Sequence, residues 1–204
     1  MKLPLNATGI EGNYFLTGVH EVASVLVLKP DQTFDFYYSY GAIDRTGQGS
    51  WKITRDDSSK VVLHSKARPA ADFTLVKKSA SNHDHISIRV TGKHAGVLPC
   101  ITVRIHTAHG VKDKFTDATG TVVICRQPIQ RIELMFELCP DRFSSFDIRD
   151  QRLNNFEFRL EPWITDIFFE NLTLSIGNNR LTGSHPLSNG NYYYVKSVEP
   201  AAAR

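Results

Sequence analysis

The chain has 204 residues, of which 41% are hydrophobic and 22% charged. This is enough to bury a substantial core in one large β-domain or in two small ones. The 24 basic and 21 acidic residues leave a net charge of only +3, and the two kinds are interleaved along the sequence. Nucleic-acid surfaces need clustered positive charge, so the composition argues against nucleic acid as a partner.

The sequence contains no clear signal for membrane insertion or for secretion. No apolar run approaches the roughly 20 residues that a helix needs to cross a bilayer, so no membrane span is predicted. Residues 1–6 contain no long apolar segment, and no signal peptide is expected. The protein is predicted to be cytoplasmic, or to belong to the cell envelope after removal of a signal.

The first strong structural signal begins at residue 22. Residues 22–28 are a short apolar run rich in β-branched side chains, and Pro30 and Asp31 then form a turn. Residues 33–40 alternate with a period of two. One face of this strand carries four aromatic side chains: Phe34, Phe36, Tyr38 and Tyr40. The pattern predicts an all-β fold.

Further strands are expected on both sides of a polar segment. The first part of the chain predicts strands at 13–17, 22–28, 33–40, 47–54, 59–65 and 72–77. The second part predicts strands at 86–90, 101–106, 120–125, 132–138, 143–148, 155–160, 167–169, 172–176 and 192–195. Such regular spacing is typical of a sandwich or barrel. Residues 77–84 carry no large apolar side chain, so we interpret them as a linker. A helical turn is plausible only within 141–153.

Three cysteines, Cys100, Cys125 and Cys139, cannot all pair within one chain. Their spacing matches no zinc motif, so they are expected to be buried or half-buried thiols. A single Cys100–Cys125 or Cys125–Cys139 bridge is the alternative.

His83 and His85 form a His-x-His pair, which is common in metal sites. No acidic third ligand follows them, so they remain weak metal candidates and no metal or other cofactor is predicted. Catalytic motifs are also missing, because the sequence has neither a Gly-x-Ser-x-Gly nor a glycine-rich phosphate loop. Cys100 and His106 would lie too far apart within one strand to act as a pair.

Aromatic residues are the remaining functional signal, because adjacent aromatics on a strand point to opposite faces and some must be exposed. Exposed tyrosine and tryptophan suit stacking on sugars or apolar ligands, and suit protein interfaces. The candidate ligand-binding residues are Tyr38, Tyr40, Trp51, Trp163 and Tyr193. Tyr40 is followed by Gly41 and is expected at a barrel rim, and Trp51 is expected to reach the same end.

Residues 12–65 carry a Pro-Asp turn followed by Thr33-x-x-Phe36, and then Gly47-x-Gly49-x-Trp51. This strand-and-turn pattern, in which Phe34 follows Thr33, resembles the small lipocalin-like half-barrel domains of bacteria. Residues 86–125 carry Gly96-Val97-Leu98-Pro99-Cys100 and the turn Thr116-Asp117-Ala118-Thr119-Gly120. They are similar to transthyretin-like or carboxypeptidase-regulatory β-sandwich modules. In such a turn, Asp117 would bond backbone amides and Gly120 would take a positive φ.

Together, the patterns predict an all-β protein with an antiparallel, lipocalin-like half-barrel over 1–82 and a transthyretin-like β-sandwich over 83–204. As a whole the chain resembles a bacterial two-module β protein. The predicted function is non-catalytic binding of a small molecule or a protein. One alternative is a small hydrolase or isomerase with a site between the modules, built from a set of histidines and carboxylates: His64, His83, His85, His106, Glu157 and Glu161. The other is a structural or assembly subunit. Oligomeric state is left open.

Overall fold

The computed structural model describes residues 9–54, 56–185 and 187–197. About 58% of the chain is strand and 4% is helix, which confirms the all-β prediction. The strands are β1 Gly12–Thr17, β2 Val22–Leu28, β3 Thr33–Tyr40, β4 Ile43–Ile53, β5 Lys60–His64, β6 Phe73–Ser79, β7 His85–Thr91, β8 Ile101–Thr107, β9 Gly110–Phe115, β10 Thr121–Cys125, β11 Ile129–Phe136, β12 Ser144–Asp147, β13 Asn155–Leu160, β14 Asp166–Ile167, β15 Leu172–Gly177, β16 Arg180–His185 and β17 Ser188–Lys196. Two short 3₁₀ turns cover Ala95–Val97 and Pro162–Thr165. The described residues contain no helix with the length and apolar character needed to cross a membrane.

Residue contacts divide the chain into two compact units. One consists of residues 1–68 and 165–204, and the other of residues 69–164. The second unit is therefore inserted into the first, and the contacts divide the chain differently from the predicted domains 1–82 and 83–204. The segment 77–84, interpreted as a linker, begins inside β6, where Ser79 pairs with Asn155 of β13.

The first unit is a closed antiparallel barrel of eight strands, in the order β1-β2-β3-β4-β5-β15-β16-β17. Its closing pairs join β1 to β17 and β5 to β15. The five N-terminal strands would make a half-barrel with two open edges, and the three C-terminal strands pair with both edges. Because exposed edges invite association with other chains, closure removes a liability that a half-barrel would have.

Aromatic side chains fill much of the barrel interior. Phe34 and Phe36 point inward from β3, and the ring of Phe169 meets them edge-to-face at centroid distances of 5.1 and 5.2 Å. Trp51 is buried on β4, and its indole N–H donates to the carbonyl of Lys29 at 3.0 Å. A Cβ at Gly49 would lie 2.1 Å from a backbone oxygen of β5, so glycine permits this close strand approach.

The second unit contains two four-stranded sheets, ordered β10-β7-β13-β6 and β12-β11-β8-β9. The ring centroids of Phe146 of β12 and Phe158 of β13 lie 4.8 Å apart, so the two sheets face each other as in a sandwich. The turn before β10 agrees with the prediction. Asp117 accepts hydrogen bonds from the backbone N–H groups of Thr119 and Thr121 at 2.8 and 3.0 Å, and Gly120 has φ 77°.

The nested arrangement predicts that a fragment of residues 69–164 folds alone, because it contains both sheets and the core between them. A fragment of residues 1–82 should remain unfolded, since it lacks the strands that pair with β1 and β5. Circular dichroism and amide-proton dispersion in NMR spectra would measure both outcomes, with the full chain as control. A folded 1–82 fragment beside an unfolded 69–164 fragment would instead support the boundary predicted from sequence.

Candidate functional site

A polar cleft of about 250 Å³ lies on the outer surface of the barrel, and we call it the barrel cleft. It is lined by Asp35, Phe36, Tyr37, Thr46, Gly47, Gln48, Ser65, Lys66, Asp166, Ile167 and Phe168. An adjoining depression of about 370 Å³ shares Asp35, Gln48 and Lys66 with it and extends to Lys29. The two adjoin each other across β3 and β4.

Strand register explains how the barrel cleft is assembled. Tyr37 of β3 pairs with Thr46 of β4, and Thr46 pairs in turn with Asp166 of the short parallel strand β14. The three residues therefore form one row across three strands. A Cβ at Gly47 would lie 2.7 Å from the ring of Phe169, so glycine at this position allows the returning chain to lie close to β4.

Some of the charged side chains in the cleft have an ion-pair partner and others do not. Asp35 forms an ion pair with Lys29 at 2.7 Å, and this hydrogen bond raises the pKa of Lys29. Burial raises the pKa of Asp166, although Lys66 and Arg45 act in the opposite direction. Within the part of the chain that the structure describes, the Asp166 carboxylate and the Lys66 ammonium have no hydrogen-bond or ion-pair partner. They are available to a ligand.

Another polar group lies inside the barrel, at His185. Its Nδ1 accepts a hydrogen bond from the backbone N–H of Leu187 at 3.1 Å, whereas its buried Nε2 has no partner among the described residues. The rings around it have centroids 5.4 to 6.3 Å away and belong to Phe36, Tyr38, Tyr192 and Tyr194. Burial in this aromatic cage lowers the pKa of His185 to about 4, so the ring is neutral at physiological pH.

None of the ligand-binding residues suggested by the sequence lines the barrel cleft. Tyr38 and Trp51 are buried in the barrel, whereas Tyr40 and Tyr193 are exposed on it. Trp163 belongs to the second unit, where its indole N–H donates to the carbonyl of Ala71 at 3.1 Å.

The expected meeting of Tyr40 and Trp51 at one rim is not observed. Tyr40 pairs with Ile43 at one end of the β3–β4 ladder, and Thr33 pairs with Ser50 at the other end. Trp51 follows Ser50, so it lies at the opposite end from Tyr40. Trp51 borders a separate depression of about 340 Å³. The rim prediction failed because β3 and β4 form an antiparallel hairpin that turns just after Tyr40, so Trp51, near the end of β4, lies far from that turn.

The histidine and carboxylate candidates occupy several different places. The rings of His83 and His85 are stacked, with centroids 5.0 Å apart and planes 16° from parallel. The nitrogen lone pairs of an imidazole lie in the plane of its ring, so two stacked rings direct them within two nearly parallel planes rather than toward one ion between them. The described residues contain no group of three histidine, cysteine, aspartate or glutamate side chains that could hold a metal. His106 lies 2.8 Å from Glu133, and Glu161 pairs with Arg159.

No protein-family model, curated protein or solved structure matches this chain. The coarser part of the two resemblances, an antiparallel barrel and a module of facing sheets, is present in the structure.

Sequence reasoning missed the residues that build the barrel cleft. Asp35 and Tyr37 could have been found, because both fall on the face of β3 opposite its buried aromatics. Asp166 and Lys66 gave no signal of this kind. Asp166 reaches the cleft because β14 pairs with β4, a contact between distant parts of the sequence. Lys66 reaches it because it follows β5, which also pairs with β4.

Asp166→Asn is expected to raise the thermal unfolding midpoint at pH 7, because a raised carboxyl pKa means that the fold disfavours the ionised form. The gain should disappear as the pH falls below the usual aspartate value of 3.8, where the wild-type side chain is also neutral. Calorimetry at several pH values would measure the unfolding midpoints of the variant and the wild type. The matched control, Asp35→Asn, should give no gain because it breaks an ion pair with Lys29. A lower midpoint for Asp166→Asn at pH 7 would contradict the conclusion that the fold disfavours the ionised form of Asp166.

The barrel should lose stability in acid because of His185. Since burial lowers its pKa from 6.5 to about 4, its contribution is complete above pH 6.5 and is lost as the pH falls toward 4. The loss should reach about 3 kcal/mol at most. Denaturant titrations across this range should show a flatter pH dependence for His185→Phe, which keeps a ring in the cage. His64→Phe, at an exposed position on β5, should keep the wild-type slope. An unchanged slope in His185→Phe would assign the acid sensitivity to another group.

Proposed function

We propose that this protein is a non-catalytic binding protein whose barrel cleft takes a small, neutral, polyhydroxylated ligand of the sugar class. The proposal rests on one observation. The exposed ring of Tyr37 lies in the same row of paired residues as the half-buried carboxylate of Asp166, which has no hydrogen-bond partner among the described residues. Ligand sites commonly combine apolar walls with a few convergent polar groups, and this cleft has both.

The balance of charge favours a neutral ligand. The cleft and its adjoining depression contain two carboxylates, Asp35 and Asp166, and two ammonium groups, Lys29 and Lys66. An anion or a cation would meet as much repulsion as attraction here. A hydroxyl group can both donate to a carboxylate and accept from an ammonium, so a polyol can satisfy groups of either sign.

The aromatic wall adds a second preference. Tyr37 is 51% exposed, and Phe168 also borders the cleft. A pyranose has an apolar C–H face that can lie against such a ring while its hydroxyl groups reach the polar wall. The Gln48 side chain adds an amide, which supplies a donor and an acceptor in one group.

The barrel interior supports this proposal less well than the outer cleft does. Eight-stranded barrels of the lipocalin type can hold one small ligand inside. Here the interior positions are occupied by a buried cluster that includes Phe34, Phe36, Trp51, Leu63 and Phe169. A lipocalin-like mode of binding would require these side chains to move, whereas the barrel cleft is already open.

Titration calorimetry with a panel of neutral mono- and disaccharides would test the proposal. Tyr37→Ala should weaken the binding of any ligand found by several-fold, because the loss of one stacking contact costs about 1 kcal/mol. Tyr40→Ala is the matched control, since Tyr40 lies on the same strand with the same exposure of 51% but outside the cleft. If Tyr40→Ala weakens binding and Tyr37→Ala does not, the site lies at the rim that the sequence suggested. If no saccharide of the panel binds at millimolar concentration, the proposed ligand class is wrong.

A further inference from the structure

A second polar cleft, of about 270 Å³, lies on the outer face of the sheet β10-β7-β13-β6 in the second unit, and we call it the sheet cleft. Six of the side chains that line it are polar: Lys77, Ser79, Ser87, Arg89, Asn155 and Glu157. Residues beside them in the strands, such as Ile88 and Phe158, are buried in the core, so the polar side chains project from the opposite face. The volume lies near the lower end of the range for ligand pockets, about 300 Å³, and suits a ligand of amino-acid size.

Strand register arranges the six side chains in two neighbouring rows. The rows are Lys77-Glu157-Arg89 and Ser79-Asn155-Ser87, each in the strand order β6-β13-β7. Neighbouring strands lie about 4.8 Å apart, so the two residues of β13 occupy the middle of the cleft. The residues of β6 and β7 border them on either side.

The charged row combines opposite charges that are not joined to each other. Glu157 is half-buried and lies directly opposite Lys77 on one strand and Arg89 on the other. Opposite charges in this position commonly attract each other across a sheet. Yet none of the three forms an ion pair or a side-chain hydrogen bond within the described ranges of the chain. All three charged groups can therefore contact a ligand.

The second row places one acceptor between two hydroxyl groups. The Nδ2 of Asn155 donates to Ser81 Oγ at 3.0 Å and to Asn154 Oδ1 at 3.1 Å, which uses both of its hydrogens. Its Oδ1 is the atom left for a ligand. The hydroxyl groups of Ser79 and Ser87 are half-buried and form no hydrogen bond with any residue that the structure describes.

The cleft thus has acceptors along its middle and donors on both sides. Glu157 and Asn155 supply the acceptors, and the flanking strands supply a cation and a hydroxyl group each. Two cationic side chains and one carboxylate give a net charge of +1. A phosphate or a simple dicarboxylate would satisfy the cations but would be repelled by the carboxylate between them. A ligand that matches every charge carries two anionic groups and one cationic group.

We propose that the sheet cleft binds a free α-amino acid with an acidic side chain, which has two carboxylates and one ammonium group. The ammonium donates to Glu157 and to the Oδ1 of Asn155. One carboxylate accepts from the guanidinium of Arg89, whose planar fork matches it, and the other accepts from the ammonium of Lys77. The sheet cleft shares no residue with the barrel cleft, so this proposal and the saccharide proposal succeed or fail separately.

Titration of the full chain with L-glutamate or L-aspartate at low ionic strength, followed by amide chemical shifts in NMR spectra, would test the proposal. We expect saturable shifts at millimolar concentration or below, concentrated in β6, β7 and β13. L-alanine lacks the second carboxylate and glutarate lacks the ammonium, so each should bind about tenfold more weakly or worse. If neither acidic amino acid gives saturable shifts in these strands, the proposal is wrong.

Glu157→Gln separates the role of the carboxylate from a general effect of charge. The variant should lower the affinity for L-glutamate about tenfold, because the ammonium loses its ionic partner. It should raise the affinity for glutarate, because the repulsion of its carboxylates is removed. A change in the same direction for both ligands would overturn the assignment of Glu157 to the ammonium.

Lys77→Gln should weaken the binding of L-glutamate and of glutarate alike. Lys78→Gln is the matched control, because Lys78 is the next residue of β6, is equally charged and exposed, and projects to the other face of the strand, outside the cleft. It should bind as the wild type does. If the two variants weaken binding equally, the effect comes from the net charge of the protein and the site is overturned.

Discussion

Closure of the barrel is the constraint on which the rest of the first unit depends. β17 pairs with β1 and β15 pairs with β5, so the first and last strands of the chain are neighbours, and residues 69–164 form a separate unit between β5 and β14 in the sequence. The returning chain forms β14 beside β4, past the point where the pairing with β5 ends. That parallel contact places Asp166 beside Thr46 and Tyr37. The barrel cleft thus depends on the pairing of β14 with β4.

The parts of the fold that sequence predicts well are those determined by local chemistry. The period of two in β3 predicts its buried aromatic face, and the Asp-x-x-Gly turn before β10 has the hydrogen bonds and the positive φ expected of it. The pairing of β1 with β17 joins residues from opposite ends of the chain, and no local pattern encodes it. A half-barrel and a closed barrel have the same alternation along each strand, so periodicity could not distinguish them or locate the inserted unit.

The difference between local patterns and long-range pairing also explains why aromatic content was a poor guide to the site. Most of the aromatic side chains on β3 and β4 serve the core, where Phe34, Phe36 and Trp51 are buried by closure of the barrel. Tyr37 and Tyr38 are neighbours with similar chemistry, yet one is 51% exposed and the other 9%. What separates them is the face of the strand, which follows from the alternation. Aromatic residues that bind a ligand are therefore better identified by their position on the polar outer face of a strand than by the number of aromatic rings in the sequence.

Two buried titratable groups make the stability of the barrel depend on pH, and their surroundings suggest different reasons. Asp166 and His185 both have pKa values displaced by burial, so each is held where its charged form is disfavoured. His185 is enclosed by aromatic rings, and its cost appears only when acid protonates it. Asp166 borders an open cleft, and its cost is present at neutral pH. A carboxylate that weakens the fold at working pH, in a place that a ligand can reach, is more readily explained by binding than by folding. The barrel cleft, rather than the filled interior, is therefore the place where function should be sought.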